Sequence, residues 1–270
     1  MQWVIQENIF NEYGYGRLIE TLERLEIPFT IVKVIPFGGG IIPDVNFKEP
    51  TIVMGAYTMW KVAAEKQWIP GSFINENFDF EIQRQHWGNR MFNADSRVYR
   101  FADVPEQSED FFIRPIHDTK SFTGQIIDWI SFDTWRKSVM DIQTSYCSIT
   151  ADTLVQVAPY KHIYAEYRLW VVDGKIVTSS LYKRGNRVYS DEEVDEEIIN
   201  FGYECIKTWV PARAFCLDIF VGPDGPRVGE VNNINAAGFY KADVQKLVLA
   251  LNSMEFQCPA SPQSSTANVL

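Results

Sequence analysis

Short apolar runs alternate with amphipathic stretches over roughly the first 90 residues, which is the pattern of parallel β-strands joined by helices. The predicted strands are residues 2–6, 29–35 and 51–54. Between the first two, apolar side chains recur at helical spacing at Leu18, Ile19, Leu22 and Leu25, and residues 57–68 form a second helical pattern. The chain is therefore predicted to begin with a small doubly wound α/β lobe.

Residues 38–44 (GGGIIPD) are rich in glycine. They lack the Lys-Ser/Thr pair of a phosphate-binding P-loop and the glycine spacing of a dinucleotide-binding fingerprint. We therefore interpret this segment as a flexible turn, and not as a nucleotide-binding loop.

From residue 111 onward the pattern changes to longer strands and hairpins. Asp173-Gly174 lies between two β-rich runs and predicts a tight hairpin turn, because such turns need residues that tolerate positive φ. A second hairpin is predicted over residues 213–232, with its turn at 223–225. Ser190 and the acidic residues after it form a capping-box pattern that predicts a helix ending near Trp209, and a last helix is predicted at 242–252.

Composition narrows the possible functions. The net charge of -10 and the pI near 4.9 argue against a broad nucleic-acid-binding surface, which needs clustered Lys and Arg, so any polyanion bound is expected to be small. The four cysteines and three histidines are scattered, which argues against a zinc site. The chain has neither a signal-peptide pattern nor a membrane-spanning apolar run, so we expect a soluble, reduced, cytoplasmic protein without a membrane partner.

Three oxygen-bearing side chains are predicted to meet on the second hairpin. Asp218 lies on its first arm, Glu230 lies on the second, and Asn232 follows two positions later on the same face of the strand. Both charges interrupt apolar strands, and a charge in that position needs a partner or a metal ion. Carboxylate and amide oxygens are the ligands of magnesium. The alternative is an ordinary hairpin with one solvated polar face.

A basic segment follows the strand at 111–116. Arg114 is near the end of that strand, and Lys120 lies in a Ser/Thr/Gly-bearing loop that ends at Gly124. Arg provides fork-shaped donors and Lys a mobile point charge, and both neutralise phosphate oxygens. The alternative is a basic surface loop without a ligand.

A third group of candidates lies on the first arm of the hairpin at 164–182. Strand alternation gives Glu166 and Arg168 the same face as Trp170, so an acid and a base are expected to point to one side of the sheet. The alternative is a structural cross-strand salt bridge.

Three stretches, in order, resemble the ATP-grasp superfamily: FIRPIHDTKSFTG, AEYRLWVVDGKIVTSSLYKRG and LDIFVGPDGPRVGEVNNINAAGFY. The resemblance is closest to a small divergent clade of phages and bacteria that is related to the eukaryotic assembly factor for translation initiation. It implies an α/β (α+β) fold in which a small N-terminal lobe precedes two α+β lobes that clamp ATP. The corresponding divisions are residues 1–105, residues 106–256 and a disordered tail at 257–270.

The resemblance also implies roles for individual residues. Asp218, Glu230 and Asn232 would ligate Mg²⁺. Arg114 and Lys120 would bind the ATP phosphates, and Arg168 would reach the γ-phosphate or the acyl-phosphate made from it, so Lys120 and Arg168 are the implied catalytic residues. Glu166 is grouped with the nucleotide-binding residues, and Gln156 would mark the edge of the adenine pocket at the hinge between two sheets. Arg114 is a departure, because many members of the superfamily carry Lys there.

The implied activity is that of an ADP-forming carboxylate-amine ligase that works through an acyl-phosphate. Its substrates would be a carboxylate and an amine from small molecules or peptides, with a protein as a further possibility, and no nucleic acid. Such chemistry requires charge neutralisation and positioning more than a nucleophilic side chain. The alternative function is that of a non-catalytic ATP-binding assembly factor that clamps a partner protein.

Overall fold

The structure is a computed structural model that describes residues 1–7, 14–35, 39–73, 79–116, 121–141 and 148–256. The chain divides into two compact units, Met1–Ser72 with Val248–Leu270, and Phe73–Leu247. The division proposed from the sequence, between residues 105 and 106, lies inside the second unit, and the proposed tail at 257–270 lies outside the described residues. Within the described ranges, no helix has the length and apolar character needed to cross a bilayer.

The first unit is built on a five-stranded sheet in the order β3-β2-β1-β4-β5. Strand β1 pairs in parallel with β2 and β4, and β4 pairs in parallel with β5. The elements are β1 Gln2–Gln6, α1 Tyr15–Arg24, β2 Phe29–Val34, β3 Ile41–Ile42, β4 Thr51–Met54, α2 Tyr57–Glu65 and β5 Pro70–Gly71. The predicted parallel strands and the helices between them are confirmed.

The glycine-rich segment differs from its prediction as a turn. Ile41–Ile42 form strand β3, which pairs antiparallel with the end of β2. The Ile41 side chain is only 3% exposed, so burial of this apolar side chain accompanies the pairing. Residues 36–38 lie outside the described part of the chain.

The second unit begins with a four-stranded antiparallel sheet in the order β6-β9-β7-β8. The elements are α3 Phe80–Trp87, β6 Arg97–Arg100, β7 Phe111–Pro115, β8 Gln125–Ile127, α4 Trp129–Asp141 and β9 Leu154–Pro159. Phe101, Phe111 and Phe132 form an aromatic core under this sheet, with ring centroids 5.2 to 5.5 Å apart for the contacting pairs. Helices α3 and α4 and strands β6 and β8 were not predicted from the sequence.

A five-stranded antiparallel sheet in the order β12-β11-β10-β13-β14 follows. Its elements are β10 Ala165–Val172, β11 Lys175–Arg184, β12 Arg187–Asp191, α5 Glu196–Thr208, β13 Ala214–Gly222 and β14 Gly225–Asn232, and α6 Val244–Asn252 comes last. Both predicted hairpins are confirmed. At the first turn, Asp173 and Gly174 have φ values of 44° and 74°, as the Asp-Gly pair predicts.

The two faces of this sheet differ in character. One face carries Leu169, Val171, Leu217 and Ile219, all fully buried in a core that includes residues of α3 and α5. Because side chains alternate along a strand, the intervening residues on β10 and β13 point to the opposite face. That opposite face carries Glu166, Arg168 and Asp218, so alternation alone separates the apolar core from the charged surface.

The capping box predicted at Ser190 is not the start of a helix. Ser190 and Asp191 end strand β12, and α5 begins at Glu196 after Asp195. Strand pairing explains the difference, because Asp191 pairs with Leu181 and its carbonyl accepts a hydrogen bond from Ser180 Oγ at 3.0 Å. The Asp191 carboxylate accepts the backbone N–H of Glu193 at 3.1 Å, which makes a local turn before the helix.

Candidate functional site

Charged residues meet across three neighbouring strands of the second unit. Arg168 on β10 is in register with Asp218 on β13, and Asp218 is in register with Glu230 on β14. Asn232 Nδ2 donates to Asp218 Oδ2 at 2.9 Å and to Glu230 Oε1 at 3.0 Å. The structure therefore brings the three predicted oxygen ligands together on one face.

A β-bulge sets this arrangement. The register of β13 and β14 shifts between Asp218 and Ile219, which pair with Glu230 and Val228, so Gly229 is the extra residue. A Cβ atom on Gly229 would lie 2.5 Å from the Phe220 ring, so any other residue here would have to displace that ring. The bulge lets Val228 enter the core while Glu230 faces the site.

Arg168 and Asp218 form a two-pronged buried ion pair. Arg168 Nε donates to Asp218 Oδ1 and Nη2 donates to Oδ2, both at 2.7 Å, and the residues are 7% and 0% exposed. Burial raises the pKa of Asp218 to about 6, although the Arg168 charge and its hydrogen bonds act in the opposite direction. The carboxylate is thus ionised at neutral pH, and it is held by charge that an apolar sheet lacks.

Glu166 is part of a cross-strand ion pair, the alternative considered above. Its Oε1 accepts a hydrogen bond from Lys183 Nζ at 2.6 Å, and its Oε2 accepts one from the Tyr182 hydroxyl at 2.9 Å. The same hydroxyl lies 3.4 Å from Asp218 Oδ2. Burial and the two carboxylates raise the pKa of Tyr182 well above its usual value, so the hydroxyl remains a donor.

Arg114 and Gln156 approach the same site from the four-stranded sheet, where they are in register on β7 and β9. Arg114 Nη1 lies 3.2 Å from Glu230 Oε2, which links the two sheets of this unit. Gln156 is 2% exposed, and its Nε2 donates to Ser96 Oγ at 2.9 Å. Lys120, the remaining predicted phosphate ligand, lies outside the described residues.

Two cavities adjoin these residues. The one lined by Arg114, Gln156, Glu230 and Asn232 has a volume of only about 30 Å³, so phosphate groups would have to displace the Arg114–Glu230 contact. The other measures about 490 Å³ and lies against residues 160–162, which connect the two sheets, and against the β13–β14 turn. That volume is within the range of small-molecule sites.

The donor set suits magnesium. Two carboxylates and one amide are hard oxygen ligands, which Mg²⁺ prefers over nitrogen and sulfur. In the described part of the chain, no three His, Cys, Asp or Glu residues cluster in a way that could hold a metal ion, so an amide oxygen is needed as a third ligand. Asn232 uses its Nδ2 for both carboxylates, which leaves its Oδ1 available.

Three functional candidates escaped the sequence analysis. They are Tyr182, Lys183 and Tyr240. The register of β10 and β11 shifts between Glu166 and Tyr167, so Tyr182 and Lys183, although adjacent, both reach Glu166. Simple alternation would have assigned them to opposite faces. Tyr240 stacks on Tyr182 across the sheet, and the Gly-Phe-Tyr run after β14 was the only signal for it.

Comparison with solved structures defines the class of protein. D-cycloserine synthetase DcsG is 12% identical with a TM-score of 0.61, over 93% of this chain and 98% of that one. D-alanine–D-alanine ligase from Bacillus anthracis complexed with ATP is 14% identical with a TM-score of 0.56, over 93% and 96%. The ATP-grasp ligase PsnB complexed with minimal precursor is 13% identical with a TM-score of 0.55, over 93% and 97%. The protein thus has the mixed α+β fold of ATP-grasp ligases, as predicted.

The family follows from the sequence match. Residues 41–251 match the model of a family of ATP-grasp domains, numbered family 3 within its clade, and the protein belongs to that family. The predicted membership of the ATP-grasp superfamily is confirmed, whereas the suggested relation to phage proteins and to a eukaryotic assembly factor remains a prediction. No curated protein matches the sequence.

Proposed function

We propose that this protein is a Mg-ATP-dependent, ADP-forming carboxylate-amine ligase. One observation carries the proposal: two carboxylates, an amide and two arginines converge on one face of the antiparallel sheet. Buried charge of this kind costs stability unless a ligand uses it, and it concentrates at functional sites. Membership of the ATP-grasp family supports nucleotide binding, and the fold shared with ligases supports the reaction class by analogy.

The metal ligands in this proposal are Asp218, Glu230 and Asn232, and the ion would neutralise charge on the nucleotide phosphates. Glu230 is already held by Asn232 on one oxygen and by Arg114 on the other. Once Glu230 binds the ion, Arg114 is free to donate to phosphate oxygens together with Lys120. The same contacts therefore hold the empty site together and supply the phosphate ligands.

Arg168 is the proposed ligand of the γ-phosphate or the acyl-phosphate. Its Nε and Nη2 are engaged with Asp218, so Nη1 is the nitrogen that would meet the phosphoryl oxygen. We assign the nucleotide base to the larger cavity at residues 160–162, with Gln156 at the edge of the adenine pocket. Glu166 would lie beside the nucleotide with its charge balanced by Lys183.

In the proposed reaction, a substrate carboxylate oxygen attacks the γ-phosphorus and ADP leaves; an amine then displaces phosphate from the acyl-phosphate and forms an amide. The residues of the chain bind, orient and neutralise, and no side chain acts as a nucleophile. The substrates are a small-molecule or peptide carboxylate and an amine, and a protein terminus fits the same chemistry.

The product nucleotide tests this reaction class. Purified protein is incubated with Mg-ATP and pools of amino acids and short peptides, and nucleotides are separated by ion-exchange chromatography. We expect ADP and phosphate to appear only with an active pool, and to be lost in Glu230→Gln. Substrate-dependent AMP and pyrophosphate would contradict the proposal.

The non-catalytic clamp gives a different result in the same experiment. In that case Mg-ATP would raise the melting temperature, since a ligand that binds the native state stabilises it, but no pool would stimulate hydrolysis. A protein partner that stimulates neither hydrolysis nor amide formation would favour the clamp as well.

A further inference from the structure

Arg168 is held by more than its ion pair with Asp218. Its guanidinium carbon lies 5.5 Å from the ring centre of Tyr182 and also 5.5 Å from that of Tyr240. The two rings stack with their centroids 4.9 Å apart and 15° between their planes. We refer to Tyr182 and Tyr240 as the aromatic pair. At these distances a guanidinium is attracted to the electron-rich faces of the rings.

The aromatic pair is itself anchored from both sides. The Tyr182 hydroxyl donates to Glu166 Oε2 at 2.9 Å. Tyr240 belongs to the segment after β14, whose next residue, Lys241, donates its backbone N–H to Ser180 Oγ on β11 at 3.2 Å. Tyr240 has a φ of 45°, which side chains other than glycine seldom adopt, and such backbone strain concentrates at ligand sites.

One nitrogen of Arg168 is not committed. Nε and Nη2 are bound to Asp218, whereas Nη1 makes no hydrogen bond to any residue that the structure describes. Nη1 is also not among the sealed, unsatisfied polar atoms of the described chain, so it reaches open space. The carboxylate fixes the plane of the guanidinium, and the rings limit rotation out of that plane. The direction of the Nη1 donors is thus set before any ligand binds.

We propose that the aromatic pair positions Arg168 so that Nη1 meets the γ-phosphoryl group, which makes Tyr182 and Tyr240 positioning residues that favour ATP over ADP. The inference rests on the proposed function, because it requires nucleotide phosphates beside Glu230 and Asn232. ADP has no γ-phosphoryl group and makes no contact with Nη1. Loss of a ring therefore weakens the binding of ATP and leaves the binding of ADP as it was.

Calorimetric titration with a non-hydrolysable ATP analogue and with ADP, both with Mg²⁺, measures this preference. Tyr240→Leu is expected to lower the affinity for the analogue by about tenfold, and that for ADP by less than about twofold, as the strength of a cation–π contact predicts. Tyr240→Phe keeps the ring and is expected to retain the wild-type ratio. Rescue by phenylalanine separates the role of the ring from that of the hydroxyl.

Tyr189 provides a matched control. Its ring lies 5.5 Å from the Arg184 guanidinium carbon, the same distance as in the aromatic pair, but Tyr189 is exposed on β12 and contacts none of the site residues. Tyr189→Leu removes an equivalent contact and is expected to leave both affinities unchanged. Tyr182→Leu serves as a second variant if Tyr240→Leu shows no folded baseline by circular dichroism.

The outcomes separate the inference from the proposed function. A parallel loss of affinity for both nucleotides, or no change in either, would overturn the positioning role while the proposed function stands. A wild-type protein that binds neither nucleotide would overturn both. A selective loss for the ATP analogue, with rescue by Tyr240→Phe and no effect of Tyr189→Leu, establishes the role.

Discussion

The two five-stranded sheets of this protein bury their central strands in opposite ways. In the first unit, β1 and β4 are buried along their whole length and carry no charged side chain, and their polar residues are neutral. In the second unit, β10 and β13 are also buried at their centres but carry Glu166, Arg168 and Asp218. Both sheets have a core, yet only the antiparallel one carries ionised groups in its centre.

The difference shows which sheet serves a ligand. Parallel strands covered on both faces need apolar side chains throughout, and those of the first unit have them. An antiparallel sheet can leave one face free for other groups, because alternation confines its apolar residues to the other face. A face that holds buried charges is expensive to maintain by packing alone, so its persistence points to binding or catalysis.

Removing one charge from the centre of the antiparallel sheet should have the largest effect. Asp218→Ala leaves the Arg168 guanidinium buried without a partner, which is expected to cost about 3 to 5 kcal/mol of unfolding free energy, measured by denaturant titration. Sequence reasoning treats Asp218 as a metal ligand whose loss leaves the fold unaffected, whereas its burial predicts destabilisation as well. In Arg168→Met with Asp218→Leu most of the stability should return, and a single-variant cost below about 1 kcal/mol would contradict this account.

Glu230 separates binding from stability on the same face. Glu230→Gln removes a proposed metal ligand, and Mg-dependent nucleotide affinity should fall by about 1.5 to 3 kcal/mol, as for a lost charged interaction. The side chains of Glu230 and Arg114 are 34% and 31% exposed, so their ion pair contributes little and the melting temperature should hardly change. Calorimetry and circular dichroism measure the two quantities, and unchanged nucleotide affinity would refute the ligand role.

Lys120 is the remaining predicted phosphate ligand. Lys120→Ala is expected to weaken the binding of Mg-ATP by about 1.5 to 3 kcal/mol, because a charged hydrogen bond to phosphate is lost. Lys137→Ala is the control, since Lys137 is exposed on α4 and pairs with Asp133. An effect of Lys120→Ala within experimental error would exclude Lys120 from the site.

A polar residue of the first sheet should behave oppositely to those of the second. Gln6 is 4% exposed, and its Oε1 accepts the backbone N–H of Ala56 at 2.8 Å. Gln6→Leu strands this donor and is expected to cost about 1 to 3 kcal/mol of unfolding free energy without changing nucleotide affinity. A selective loss of nucleotide binding at unchanged stability would erase the contrast between the two sheets.

The smallest effect concerns two thiols on opposite faces of the antiparallel sheet. Burial raises the pKa of Cys205 to about 12, and burial raises the pKa of Cys216 further, although the Arg168 charge opposes it. Because the thiolate is the reactive form, both thiols should resist a disulfide reagent at pH 8 in the folded protein and react on unfolding. Cys147→Ser with Cys258→Ser removes the other two cysteines, and rapid labelling of this double variant would contradict the burial.

Local pattern explains how much of the fold was predictable. The parallel strands, the helices between them and both hairpins follow from spacing and turn chemistry, since each depends on residues close in the chain. Asp218, Glu230 and Asn232 were predicted to meet for the same reason, because one hairpin joins them. The helix expected from Ser190 failed where strand pairing with β11 competed with a local capping signal.

Contacts between distant segments required the structure itself. Arg168 pairs with Asp218 and not with Glu166, and this choice depends on the register of β10 against β13. The bulges beside Glu166 and Asp218 decide which neighbours share a face, and alternation cannot reveal them. The stacking of Tyr240 on Tyr182 joins the segment after β14 to β11, because the folded chain, and not local sequence, brings the two rings together.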